Sequence, residues 1–518
     1  MSKININLRD KKIILVLVMM VLTFINVREY QRHIRPTILV GGYVGFANLA
    51  VMIIGSLMII IIMILIIRNK NSIEQLFCVA ALSLGIAYIV AMPIFTVPDE
   101  KAHFDTTYEV SNKMLGIEEA DDPSNIYKRK CDSQYYYTHF RDDIYTKYEK
   151  VFSGSSDKEL IEVPLNSTGK HMAYLLPAVG ITVSRLMGLD FPYLAMSGMI
   201  LNLLLYVVGM TYAIKRTPVG KNALISIGLF PIVIQQARSY SYDVSIIVAS
   251  SIIVALAFAW QTEKKKKSEI IIYLICSCIL LYVKTGVYAI LILLPWLLNV
   301  KKSFFTRKRL LWIAGVIGGL LVATIGVISF TALGSSIKTI ITTGAYVTYC
   351  DTYAWPVMYY IEHPLTLISI LRNTIEEVGP VYKAQILGDQ LGWLEVPASS
   401  KVMLVMRLIF ICSCVKSERE SYELKAGTRV LLLMMSVIIV FLSCFAMLLF
   451  WTPAGYMVIQ GIQGRYFLPA VYPAALAIGG WKKPRFNEDI QKYLVVAMAI
   501  ISYCSLLYFM RYASSFSL

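Results

Sequence analysis

Charged residues are scarce in this chain: they make up 16% of its 518 residues, against 57% that are hydrophobic. A soluble protein of this length could not cover its surface with so few charges, which excludes the soluble globular classes. Acidic residues are scarcer still, 33 against 49 basic ones, leaving a net charge of +16. No nucleic-acid motif accompanies that excess, so no nucleic-acid partner is expected. The basic residues sit in short loops between apolar runs, the pattern of membrane topology and of attraction to anionic membrane lipids. Cysteine is sparse and unpatterned, with nine residues and no CxxC spacing. Neither an HExxH motif nor a glycine-rich nucleotide loop is present, so nothing points to a zinc hydrolase or a nucleotide donor. Cys276, Cys278, Cys412 and Cys414 fall in apolar stretches as packing residues. Cys131 and Cys350 fall in two large polar segments, which a disulfide between them would tie together in an oxidising compartment.

Long apolar runs are what the chain does have. Ile38 to Ile67, Trp312 to Leu333 and Val430 to Trp451 can each cross a bilayer, and in lipid such runs are helices, because every backbone polar group must be satisfied internally. The expected fold is an all-α integral membrane protein of about 13 crossings. Basic loops set its orientation. Lys3, Arg9, Lys11 and Lys12 keep the N-terminus cytoplasmic, with 13–27 read as a retained first helix that lacks a small-residue cleavage site. Helix 38–67 returns to Arg68 and Lys70, and 76–97 goes out again, although Arg28, Arg32 and Arg35 would then lie outside. Residues 172–187 break the alternation. They are short and carry Pro177 and Arg185, and are expected at the interface rather than across it. Spans 193–214, 222–237, 243–260, two crossings within 270–300 that turn near Lys284, 310–333, 401–415, 430–452, 466–480 and 490–510 complete the count. The chain divides into two N-terminal helices (1–75), a module (76–480) with exterior segments 98–170 and 334–400, and a C-terminal helix (481–518).

Polar groups gather at the exterior ends of these helices. Asp99 and Glu100 follow the span that ends at Val97, with His103 one helical turn on. Paired carboxylates there can take a proton from an attacking hydroxyl, or hold a sugar or a metal. If a divalent cation, magnesium or manganese, takes part, Asp99, Glu100 and Asp243 are its candidate ligands. Gln236, Arg238 and Asp243 straddle the mouth between two helices. Lys284, flanked by Tyr282 and Tyr288, interrupts an apolar stretch at the outer lipid boundary, where a lipid phosphate would lie. Gln463, Arg465 and Tyr466 follow two glycines, and the arginine fork matches phosphate oxygens. Glu362, His363 and Trp393 lie in the second exterior segment, whose tyrosines and tryptophan suit stacking on a sugar face and equally suit the membrane interface. The chemistry these groups fit is glycosyl transfer from a lipid-phosphate sugar. A carboxylate base would activate the acceptor while cations stabilise the departing phosphate.

The pieces Pro98-Asp99-Glu100 with Ala102-His103-Phe104, Gln235-Gln236-Ala237 with Ser241-Tyr242-Asp243, Lys284 with Tyr288, Glu362-His363-Pro364, Gly392-Trp393-Leu394 and Gln463 to Pro469 run in order from about 76 to 480. In this the chain resembles the bacterial membrane proteins grouped as domain of unknown function 2142, regarded as relatives of the class C (GT-C fold) glycosyltransferases. The resemblance implies a plasma-membrane enzyme with an extracytoplasmic active site. It implies a polyprenyl-phosphate-linked sugar as donor and an extracytoplasmic glycan or lipid-linked acceptor. Asp99 would be the base with Glu100 assisting, Lys284 and Arg465 would hold the donor phosphate, and the remaining residues named above would contact substrate. A lipid-linked glycan polymerase or ligase shares these features. A flippase or transporter of lipid-linked sugar would instead place charges deep in mid-helix.

Overall fold

The computed structural model describes residues 8–68, 72–133, 144–154, 156–298, 338–418, 420–479 and 486–515. The chain opens with α1 (Leu8–Glu29), which passes through a π-turn at Tyr30–Ile34 into α2 (Arg35–Val40). The break falls at Gly41 and Gly42, whose φ angles of 83° and 68° suit residues without a Cβ. Ile38, Leu39 and Val40, expected to begin the second helix, therefore end the first. The next two spans are α3 (Gly42–Arg68) and α4 (Ile73–Ala91). The span expected to reach Val97 stops at Ala91 because Pro93 has no N–H to donate to the helix. Residues 92–98 then fold inward as a buried loop.

The first long polar segment, 98–170, expected outside, is more folded than a loop. It holds α5 (Glu100–Leu115) and a two-stranded antiparallel sheet of β1 (Asn125–Arg129) and β2 (Leu160–Pro164). Against these packs α6 (Leu175–Leu186), with Thr182 Oγ1 2.9 Å from Ser111 Oγ on α5. At 12 residues, or about 18 Å, α6 is too short to cross, as its sequence suggested. After α7 (Phe191–Arg216), the helix expected over 222–237 is two short ones, α8 (Lys221–Gly228) and α9 (Pro231–Ala237), broken where Pro231 starts the second. The helix α10 (Asp243–Thr262) is the hub, buried continuously from Asp243 to Ala259. Being apolar all round, it sits among neighbours on every side. The helix α11 (Lys267–Tyr282) ends in a 3₁₀ turn at Val283–Gly286, where the outer hairpin was expected, and 289–298 turns back.

In the second segment expected outside, α12 (Val357–Glu362) and α13 (Pro364–Glu377) rest on a small separate core containing Tyr360, Ile370, Leu448, Ile459 and Phe467. Three helices close the bundle after α14 (Ser400–Ser413): α15 (Ala426–Phe450), α16 (Leu468–Ile478) and α17 (Glu488–Ser514). Seven helices among the described residues are long and apolar enough to cross a membrane. The expected helix 310–333, the basic loop 301–309, Tyr135-Tyr136-Tyr137 and Lys482, Lys483 and Arg485 lie outside the described residues. Cys131 and Cys350 are both free. Cys131 is buried beside Asp132, with Sγ 3.5 Å from its carboxylate, and Cys350 is exposed on a turn, so the disulfide that would have joined the two segments is absent.

Contacts sort the helix termini into two ends. At one, Lys221 pairs with Glu74 at 2.7 Å, Arg216 pairs with Glu269 at 2.8 Å, and Arg429 caps α16 through the carbonyl of Ala477 at 3.0 Å. This is the basic end. At the other, Tyr43 Oη donates to Val90 O at 2.9 Å and Asn48 to Ser514 at 2.9 Å. Loop 92–99, the start of α10, the turn at Lys284 and the start of α16 all lie at that second end, because the chain alternates between the two.

Candidate active site

Asp99 and Lys284 share an unusual backbone. Five non-glycine residues among those described have positive φ, and these two, at 65° and 48°, face one another across the second end of the bundle. Holding a side chain there costs about 1–3 kcal/mol, and such strain concentrates at functional sites. Asp99 precedes α5 without capping it: its side chain accepts nothing from the helix N–H groups. Instead its carboxylate accepts from Arg465 Nη2 at 2.6 Å. Arg465 Nε lies 3.3 Å from Asp243 Oδ2, and the other oxygen of Asp243 lies 2.9 Å from Lys284 Nζ. The result is a chain of alternating charge, Asp99–Arg465–Asp243–Lys284, from four separate segments. Asp243 also starts α10, where the helix dipole favours an anion.

The surroundings fix each charge in place. Lys284 Nζ stands 3.6 Å above the ring of Tyr466 and 5.7 Å from that of Tyr242, both cation–π contacts. Tyr288 Oη donates to the carbonyl of Tyr466 at 3.0 Å. Gln236 Oε1 and the carbonyl of Pro98 lie 3.3 and 3.4 Å from Arg465 Nη1. Burial acts against the charge on Arg465, but Asp243 and Asp99 more than offset it and hold the guanidinium protonated. His103 sits alongside, its Nδ1 2.6 Å from Tyr174 Oη and its ring edge-on to Tyr242. Burial pushes His103 down from its ordinary 6.5 to about 4, although Asp99 works the other way.

A pH dependence follows from His103. Its folded pKa is depressed, so the stabilisation it allows is complete above about 6.5 and is lost as pH falls towards about 4. Thermal unfolding of the detergent-solubilised protein is therefore expected to shift down over that window. His103→Gln should flatten the dependence, and an equally steep fall in the variant would assign it to other groups.

Several expected site residues are structural instead. Glu100, next to Asp99, points the opposite way. Its carboxylate lies 3.6 Å from Arg238, both side chains being fully buried, and it accepts from the N–H of Val97 at 3.2 Å. Arg238 also donates to Met92 O and Thr96 Oγ1 at 3.3 and 3.1 Å. The pair therefore clamps loop 92–99 from beneath, and neither group is open to a substrate. Trp393 Nε1 donates to Phe95 O at 3.0 Å from the other side. Gln235 holds Gly392 through both its N–H and its carbonyl, at 2.8 and 3.2 Å. Trp393 is thus a scaffold for the loop. Glu362 and His363 are exposed where α12 meets α13, against the separate core rather than at the charge cluster. Gln463 lies two residues before Arg465, and its backbone carbonyl accepts from Tyr466 N at 3.0 Å.

Tyr174 and Thr168 were not legible from sequence. Tyr174 Oη bridges His103 and Thr168 Oγ1, the latter at 3.0 Å, and only a stray tyrosine before an interfacial helix hinted at it. No group of three metal-ligating side chains converges among the described residues. Asp99 and Asp243 face cations and Glu100 faces Arg238, so the candidate divalent-cation ligands do not form a set.

A family model described as "Predicted membrane protein (DUF2142)" matches residues 82–472, which takes in every residue of the cluster. Neither a curated protein nor a solved structure matches the chain.

Proposed function

The chain belongs to the DUF2142 family of predicted membrane proteins, and from that premise we propose that it is a glycosyltransferase of GT-C type. It would move a sugar from a polyprenyl-phosphate donor to an extracytoplasmic glycan or lipid-linked acceptor. The observation that carries this reading is the Asp99–Arg465–Asp243–Lys284 chain at one end of a membrane bundle. The opposite end carries the basic loops, so by the charge rule the cluster faces away from the cytoplasm.

The cluster balances two carboxylates against two cations. A donor phosphate entering from the open side takes over Arg465 and Lys284 and releases Asp99 from its ion pair. Asp99 then accepts the proton of the acceptor hydroxyl as that oxygen bonds to the sugar's anomeric carbon. The bond from that carbon to the phosphate oxygen breaks, and its electron pair stays with the phosphate. Proton uptake leaves Asp99 neutral and the cluster net positive at the moment the leaving phosphate gains a negative charge. That is electrostatic stabilisation placed where charge develops.

Incubating the purified full-length chain with a panel of polyprenyl-phosphate sugars and glycan acceptors tests the reading. One donor should be consumed, with free polyprenyl phosphate appearing in step with the product. A panel left untouched by folded protein would remove the assignment.

A further inference from the structure

Four arginines stand at the second end of the bundle, where the charge rule for membrane proteins disfavours basic residues. Arg28, Arg32 and Arg35 follow the apolar stretch of α1, and Arg511 lies one turn before the end of α17. All four are exposed, all lie outside residues 82–472 matched by the family model, and none belongs to the charge cluster. Their depth follows from two polar contacts. Asn26 Nδ2 donates to Ser56 Oγ at 2.7 Å, so α1 and α3 run as an antiparallel hairpin that turns at Gly41. Asn48 Nδ2 donates to Ser514 Oγ at 2.9 Å and ties the end of α17 to the start of α3. Counting about 20 residues, the span of the hydrocarbon core, back from Arg68 puts its second-end boundary near Asn48. In that register Arg35 lies at the boundary, Arg32 and Arg511 about one turn below it and Arg28 about two.

The protein does not neutralise these charges itself. Arg28, Arg32 and Arg511 are close enough to act electrostatically on both Glu29 and His33. Glu29 is the single carboxylate between Lys12 and Val40, and its side chain is only 18% exposed and set toward His33, 3.9 Å away. One carboxylate cannot balance four guanidinium groups, and a charge left on the lipid face of a helix is costly unless something meets it. Met20 and Phe24, both exposed, precede Arg28 at intervals of four residues and share its face. An apolar track thus leads up to a cluster of cations, the order in which a phospholipid presents its tail and its phosphate.

We propose that Arg28, Arg32, Arg35 and Arg511 hold the phosphate of an anionic phospholipid in the leaflet at the bundle's second end, with an acyl chain laid along Met20 and Phe24. The arginine fork takes two phosphate oxygens at once, and its long stem snorkels up to the headgroup level from below the boundary. The N-terminal hairpin and α17 are therefore bridged by a lipid as well as by the Asn26 and Asn48 contacts.

The test is native mass spectrometry of the full chain released from detergent micelles doped with phosphatidylglycerol or with phosphatidylcholine. A phosphatidylglycerol should stay bound where phosphatidylcholine does not. Each arginine beside an anionic headgroup contributes a factor of about five, so Arg32→Gln with Arg511→Gln should weaken retention about 25-fold. Arg32→Lys with Arg511→Lys keeps the charge and should keep most of the binding. Lys264→Gln with Lys265→Gln, exposed at the basic end, should change nothing. The replaced side chains are all exposed, and elution as a single species checks that each variant is folded. Inorganic phosphate should not displace the lipid, because the tail is held too. Equal retention of phosphatidylcholine, an adduct that survives the two Arg→Gln changes, or an equal loss in the lysine variant would each overturn the site. So would displacement by inorganic phosphate, or an arginine-dependent dimer in place of the lipid adduct, which would make a second copy of the chain the occupant.

Discussion

Replacing Asp99 by Asn is expected to abolish sugar transfer, lowering turnover roughly 10²- to 10⁴-fold, the contribution of a positioned general base. The choice between the cluster's two carboxylates comes from exposure: the Asp99 side chain is 51% exposed and that of Asp243 only 7%. Asp99 can therefore meet an acceptor hydroxyl, while Asp243 is enclosed between Arg465 and Lys284. The substitution isolates the chemistry. Asparagine has the same shape and is one of the few residues that tolerate the left-handed backbone found here, φ 65°. Its amide oxygen can still accept from Arg465. What it loses is the capacity to hold a proton. The measurement is donor turnover by the purified variant beside its melting temperature. A folded variant that turns over at the wild-type rate would take Asp99 out of the mechanism.

Arg465→Lys should lower kcat/KM for the donor about 10²-fold, the cost of removing a preorganised donor from a developing oxyanion, and leave the KM for the acceptor nearly unchanged. Lysine keeps the charge that neutralises Asp243, so the buried carboxylate is not stranded. It cannot keep the geometry. Arg465 reaches Asp99, Asp243, Gln236 and the carbonyl of Pro98 at once through a rigid fork, and an ammonium at the end of a flexible stem cannot span all four. Initial rates against donor and against acceptor concentration separate the roles. A loss falling equally on both substrates would assign Arg465 to holding loop 92–99 through Pro98 rather than to the phosphate.

Neighbours in the chain show how far the sequence could be read. Asp99 and Glu100 look like one acidic pair, yet they serve different purposes. The left-handed turn at Asp99 throws its carboxylate outward, while Glu100, the first residue of α5, turns inward onto Arg238. Gln235 and Gln236 divide in the same way, one clamping Gly392 and the other supporting Arg465. Consecutive residues on a helix point about 100° apart, so adjacency in sequence guarantees no shared surface. Arg238 illustrates the opposite error. An arginine at a helix mouth looks like a ligand for substrate, but its complete burial makes it a foundation for the loop.

The sequence by itself determined that the protein lives in a membrane, because so much apolar surface has no other stable setting. It also marked the basic ends of the helices, because lysines and arginines stay out of hydrocarbon. It named the residues that meet at the charge cluster, since polar groups at the lipid boundary stand out against an apolar background. Only the tertiary structure decided which of them pair. The Asp99–Arg465 contact joins residues 366 positions apart. Partners that distant are chosen by how the helices pack and how a strained turn aims each side chain, and no local pattern records either.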